Sequence, residues 1–230
     1  MFPIGDENRR GHILPAVNYA LIVLNVLVFL YELALGGDQA TQSFIEHYGT
    51  IPSEIVHGQD LYTLLTSMFV HGGWAHIIGN MVFLVVFGDN VEDAFGHLGY
   101  LIFYLATGLA ASLAFVLLNA TSSVPSVGAS GAISGVLGAY IVLFGGNPVR
   151  VLIGFFITVV PAWIMIGLWA IQQFIATYGA IAYTDQTSGG VAYAAHAGGF
   201  LCGVVVALVL RGMLGRPEQR HATRNGRAPY

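Results

Sequence analysis

Three short clusters hold the residue types from which nucleophilic chemistry can be built. They are His71-Gly-Gly-Trp-Ala-His76-Ile-Ile-Gly-Asn80, Gly128-Ala-Ser130-Gly131-Ala-Ile-Ser134-Gly135, and Ala195-His196-Ala-Gly-Gly199. A serine hydroxyl attacks poorly until a base takes its proton, and neutral histidine is the usual base. Ser130 and His196 are the candidates for nucleophile and general base. Attack on an amide creates an oxyanion, which needs hydrogen-bond donors aimed at it. His76 and Asn80 are spaced i,i+4, so one helix face projects both. They read either as those donors or as hydrogen-bonding links between helices. The backbone N–H of Ser130, at a helix start, is a further donor. Each cluster also has a plain reading. Ser130 and Ser134 can be small packing serines, and His196 a buried histidine bonded to a carbonyl. His71 can cap or pack a loop, and Trp74 can anchor at an aromatic belt. Asp89, Glu92 and Asp93 read as structural or solvated.

The elements that must carry these clusters are apolar. Hydrophobic residues make up 56% of the 230-residue chain and charged residues only 9%, against about 25% in soluble domains. Such a chain has too little polar surface to cover a water-soluble fold. Six apolar runs lie at roughly 16–36, 74–91, 98–119, 130–146, 151–181 and 192–211. The expected fold is therefore all-α, a polytopic bundle of six transmembrane helices in the lipid bilayer. The first run is too long for the core of a cleavable signal and reads as a retained span. The fifth run is long enough for its ends to leave the hydrocarbon. Residues 37–73 form a long connection, expected to fold as short helices at the membrane interface. The organisation expected is a cytoplasmic segment 1–15, a membrane domain 16–211 and an Arg-rich polar tail 212–230. The net charge of −4 gives no support for a nucleic-acid partner, and the lone Cys202 excludes an intrachain disulfide.

Orientation follows from the arginines, because the chain has no lysine. Arg9 and Arg10 precede the first run, Arg150 lies between the fourth and fifth, and Arg211, Arg216, Arg220, Arg224 and Arg227 follow the sixth. With six spans these regions share one side, and the positive-inside rule makes that side cytoplasmic. The three polar clusters then all lie toward the outer face. Depth can be estimated from helix rise. Ser130 lies fifteen positions before Gly145, and His196 fifteen before Arg211. Each is about 22 Å from the inner boundary at about 1.5 Å per residue. The two should share a level about 8 Å below the outer surface of a core about 30 Å thick. Gly131 with Gly135, and Gly199 with Gly203, form GxxxG pairs that let the fourth and sixth spans approach closely. The segment 121–128 must dip below the surface to start its helix that deep. Irregular backbone at such depth needs protein or a water-filled cavity beside it.

The chain resembles the rhomboid intramembrane serine proteases, in their compact six-span bacterial or archaeal form, over roughly residues 16–211. The matching pieces are His71-x4-His76-x3-Asn80-Met81, Gly128-x-Ser130-Gly131, and Ala195-His196-x2-Gly199 with Gly203. The resemblance implies a Ser130–His196 dyad without a carboxylate or any cofactor or metal, with His76 and Asn80 as oxyanion donors. It implies single-span membrane proteins as substrates, cut near the outer face of the cell (inner) membrane. It also implies that the fifth span borders a lateral substrate gate. Two positions depart from the family pattern. Ser134 stands where many members place an aromatic residue against the base, and Tyr62-Thr63 stand where a Trp-Arg pair is common. Two rival readings have other chemistry: an inactive relative that binds membrane clients, and a metal transporter using His71, His76 and His196. An inactive relative typically lacks the serine or the histidine, and Asn and Ser are poor ligands for a transporter.

Overall fold

The computed structural model describes residues 2–6, 13–183 and 193–214. Arg9 and Arg10, the tail arginines from Arg216 to Arg227, and the polar tail beyond 214 lie outside the described residues. The main helices are α1 (Ala16–Ala34), α5 (Trp74–Phe95), α6 (His97–Leu118), α7 (Ser130–Phe144), α8 (Ala162–Tyr183) and α9 (Tyr193–Leu214). Between α1 and α5 the connection folds into α2 (Asp38–Tyr48), α3 (Pro52–Ile55), α4 (Thr63–Thr66) and a 3₁₀ turn (Ser67–Phe69), the short helices expected of it. Among the described residues, four helices, α1, α5, α6 and α9, are long and apolar enough to cross a membrane, whereas α7 and the apolar part of α8 are shorter.

Helix α7 is the axis of the bundle. Small residues recur at Ser130, Gly131, Ala132, Ser134, Gly135, Gly138 and Ala139, so neighbouring backbones can close on it. Every residue from Gly131 to Tyr140 is buried. The GxxxG pairs meet as their spacing predicts. A Cβ on Gly199 would run into the carbonyl oxygen of Gly131, and one on Gly203 into that of Gly135. On its other side α7 lies against α6, where Gly131 faces Ala111 and Gly135 faces Thr107.

The all-α expectation needs a correction. Phe2–Asp6 (β1), Pro148–Ile153 (β2) and Phe156–Pro161 (β3) form a three-stranded antiparallel sheet in the order β1-β2-β3. The fifth apolar run is thus not one helix. Its first part, Val151-Leu-Ile-Gly-Phe-Phe-Ile-Thr-Val-Val-Pro161, is rich in β-branched and aromatic residues, which suit a pleated surface. Gly154 and Phe155 form the two-residue turn between paired Ile153 and Phe156. Gly154 has φ +61°, as the first position of a type II′ turn requires. Helix α8 starts only after Pro161. Its first N–H groups are taken up by α7's end, Ala162 donating to Asn147 O and Trp163 to Gly145 O.

The sheet ties the N-terminal segment to the far end of the bundle from Ser130. Asp6 accepts from Asn90 of α5 (2.7 Å) and from Tyr140 of α7 (2.6 Å). At the same end Glu92 serves as a cap for α1, accepting from the N–H groups of Val17 (3.0 Å) and Asn18 (2.7 Å). A buried carboxylate is well placed there because it meets the unpaired donors and the positive end of the helix dipole.

Candidate active site

Ser130 is the first residue of α7, and the chain reaches it through an irregular segment sewn to the first connection. Thr50 and Ser126 exchange both backbone hydrogen bonds at 2.9 Å, and Gly128 N–H donates to Ser67 O at 2.8 Å. The connection is held in turn by Thr50, whose hydroxyl bonds Ser67 Oγ and Thr63 O, both at 2.9 Å. Tyr62 also donates to His47 O. These contacts anchor the segment that lacks the family's Trp-Arg pair. They also give the irregular backbone its polar partners within protein, as burial demands.

The Ser130 hydroxyl lies 2.7 Å from His196 Nε2. Ser130 and His196, expected at one level from their spacing to Gly145 and Arg211, are in direct contact between α7 and α9, although α9 runs on past Arg211 to Leu214. The other ring nitrogen, Nδ1, lies 2.7 Å from Gln173 Oε1 on α8. Trp169, one helical turn before Gln173, sets its ring 6.0 Å from the imidazole, centroid to centroid. Ser134 makes no contribution of this kind. Its hydroxyl donates to Ser130 O at 2.6 Å and is fully buried, in keeping with the packing reading.

His76 and Asn80 project from α5 into the same cavity as Ser130 and His196, a space of about 750 Å³. Gly128 makes room for them. It has φ +119°, and a Cβ there would strike the His76 ring. Asn80 is held by His71, with 2.9 Å between Asn80 Nδ2 and His71 Nε2. His71 Nδ1 lies 3.2 Å from Phe69 O, so its N–H points there and Nε2 is free to accept from Asn80. One Asn80 N–H is thereby fixed, and the other is left for the cavity. His71 is itself held by Glu32 of α1, which accepts from its backbone N–H at 3.0 Å. Trp74 is largely exposed and meets Phe29 edge-on.

The Rhomboid domain model matches residues 58–213, more than half of the chain. The chain belongs to the rhomboid family. It is an integral membrane protein of that family, similar to several of its members. It is 34% identical over 125 residues to rhomboid protease GluP of Bacillus subtilis (strain 168), a match covering 54% of this chain and 24% of that one. It is 28% identical over 214 residues to the mitochondrial Rhomboid protein 1 of Saccharomyces cerevisiae (strain ATCC 204508 / S288c), covering 91% of this chain and 57% of that one. It is also 34% identical over 100 residues to the mitochondrial RHOMBOID-like protein 6 of Arabidopsis thaliana, covering 43% and 32%. The chain spans between about a quarter and somewhat over half of these relatives' lengths.

Three contributors escaped the sequence reading. Gln173 and Trp169 on α8 flank the base, and His71 holds Asn80 rather than only capping a loop. A signal for Gln173 was available. An amide pair, Gln172-Gln173, interrupts an apolar run, and a polar group inside a span is costly unless it serves something.

Proposed function

We propose that this rhomboid is an intramembrane serine endopeptidase that cuts transmembrane segments of single-span proteins through Ser130 and His196. The observation that carries the reading is the 2.7 Å contact between Ser130 Oγ and His196 Nε2. In the first step Oγ bonds to the scissile carbonyl carbon while its proton passes to Nε2. The oxyanion is met by the free Asn80 N–H, the His76 imidazole and the Ser130 backbone N–H. The C–N bond then breaks as Nε2 returns the proton to the leaving amine. Water entering the cavity, activated by the same nitrogen, releases the acyl group and restores Ser130. A membrane setting with six passes and both termini cytoplasmic places this site toward the outer face, and residues 16–211 are the protease domain.

A metal-transport reading has less support. Both His196 nitrogens are engaged, one by Ser130 and one by Gln173. The inactive client-binding reading is separated by experiment. Purified protein is assayed on a model transmembrane substrate and with a serine-reactive phosphonate. Ser130→Ala and His196→Ala are each expected to abolish cleavage while remaining folded. Asn80→Ala should slow turnover roughly 10- to 1000-fold. Near-normal cleavage by either dyad variant, or wild-type protein that neither cleaves nor labels, overturns the proposal.

A further inference from the structure

The dyad and the oxyanion donors leave Gln173 unused. It is a primary amide in an apolar helix, only 7% exposed, with Oε1 2.7 Å from His196 Nδ1. We propose that Gln173 is a positioning residue that holds His196 in its reactive tautomer and ring plane, an inference resting on the serine-protease reading above. Neutral imidazole carries one N–H. To take the Ser130 proton, Nε2 must be bare, so the proton must reside on Nδ1. An acceptor at Nδ1 favours that tautomer, and Gln173 Oε1 is such an acceptor. The opposite tautomer would put an N–H against the serine oxygen and leave no base. As Nε2 takes the serine proton, the imidazolium keeps donating Nδ1–H to Oε1. The amide gains no proton and stays neutral, so no charge need be buried in the ground state.

The rest of α8 agrees with this role. Trp169 precedes Gln173 by one helical turn, so one helix face supplies both a ring against the imidazole and a bond to its edge. Thr177, one turn further on, donates to the Gln173 backbone carbonyl and leaves the side-chain oxygen to His196. Ser134, where many members of the family carry an aromatic residue, is turned to the Ser130 carbonyl. The side chains that meet the far edge and face of the base come from α8.

The test compares Gln173→Met, which keeps the shape and removes the acceptor, with Gln173→Glu, which restores an acceptor oxygen without the amide N–H donors. Cleavage of a transmembrane substrate gives kcat and KM separately, phosphonate labelling gives the reactivity of Ser130, and thermal unfolding checks the fold. Gln173→Met is expected to lower kcat and the labelling rate together by roughly 10- to 100-fold, the loss typical when a histidine's orienting partner is removed from a metal site. KM and unfolding temperature should hold, and Gln173→Glu should recover most of the rate. A wild-type kcat in Gln173→Met, a change in KM alone, or equal losses in both variants overturns the inference. If Gln173→Met does not fold, Gln173→Asn, too short to reach Nδ1, replaces it, and an unchanged labelling rate then overturns the inference. Inactive wild-type protein defeats the protease reading as well. Active wild type with an unaffected Gln173→Met defeats only the role of Gln173.

Discussion

Ser130 and Ser134 lie one helical turn apart, and each is followed by glycine, so local sequence does not choose the nucleophile. Under the proposed mechanism their hydrogen bonds distinguish them. The Ser130 hydroxyl meets an imidazole nitrogen, whereas the Ser134 hydroxyl is spent on a backbone carbonyl and fully buried. A hydroxyl that donates to a carbonyl has no base to activate it. A fluorophosphonate should therefore modify Ser130 alone, read by mass spectrometry of the labelled peptide. A label on Ser134, or full labelling of Ser130→Ala, contradicts the assignment. Much of this site was legible because its parts are costly in a membrane and therefore conspicuous. Ser130, His196, His76 and Asn80 all stood out as polar groups in apolar runs. The partners of those groups were harder to see. That His71 bonds Asn80 depends on how the chain turns through Phe69, which no spacing rule specifies.

At the scale of elements, the decisive contact is backbone on backbone. Gly199 and Gly203 press α9 onto the Gly131 and Gly135 carbonyls of α7, and that closeness lets a serine reach a histidine across two helices. One added methyl has no room. Gly199→Ala and Gly203→Ala should each destabilise the protein by about 1–3 kcal/mol, the usual cost of overpacking. Activity should fall further than stability, because the dyad separates along with the helices. Gly167→Ala, with nothing near its Cβ, is the control and should be neutral or slightly stabilising. Reversible unfolding in mixed micelles measures the difference, and equal stability of Gly199→Ala and Gly167→Ala contradicts the packing account. The α7–α9 contact could be read from GxxxG spacing. The hairpin β2–β3 could not be read from hydropathy, since an unbroken apolar run does not separate strand from helix. Its β-branched composition and the Gly154 turn were the available signal.

For the whole molecule, the two ends of the bundle differ in kind. One end gathers Ser130 at the start of α7, Trp74 at the start of α5, and the first connection sewn to residues 122–128. The other gathers β1, the β2–β3 hairpin with Arg150, and the cap made by Glu92. Pairing of Gly5 with Arg150 puts the N-terminal strand and the α7–α8 connection at one end of the bundle. Between the ends, α1 exposes Tyr19, Val23, Leu27, Leu30 and Tyr31, an apolar face that suits lipid contact. In the proposed topology, the positive-inside rule makes the Arg150 end the cytoplasmic one. A cysteine test can decide this, since Cys202 is the chain's single thiol and can be removed as Cys202→Ala. In that background Gln59→Cys, on the first connection, and Gly146→Cys, between α7 and β2, are both at exposed positions. A membrane-impermeant maleimide on intact cells should label the cysteine at position 59 and spare the one at 146, and lysis should expose both. The reverse pattern would place Ser130 toward the cytoplasm and require substrates to be cut at their inner ends. Labelling of both in intact cells would mean that the two ends do not lie on opposite sides of the bilayer.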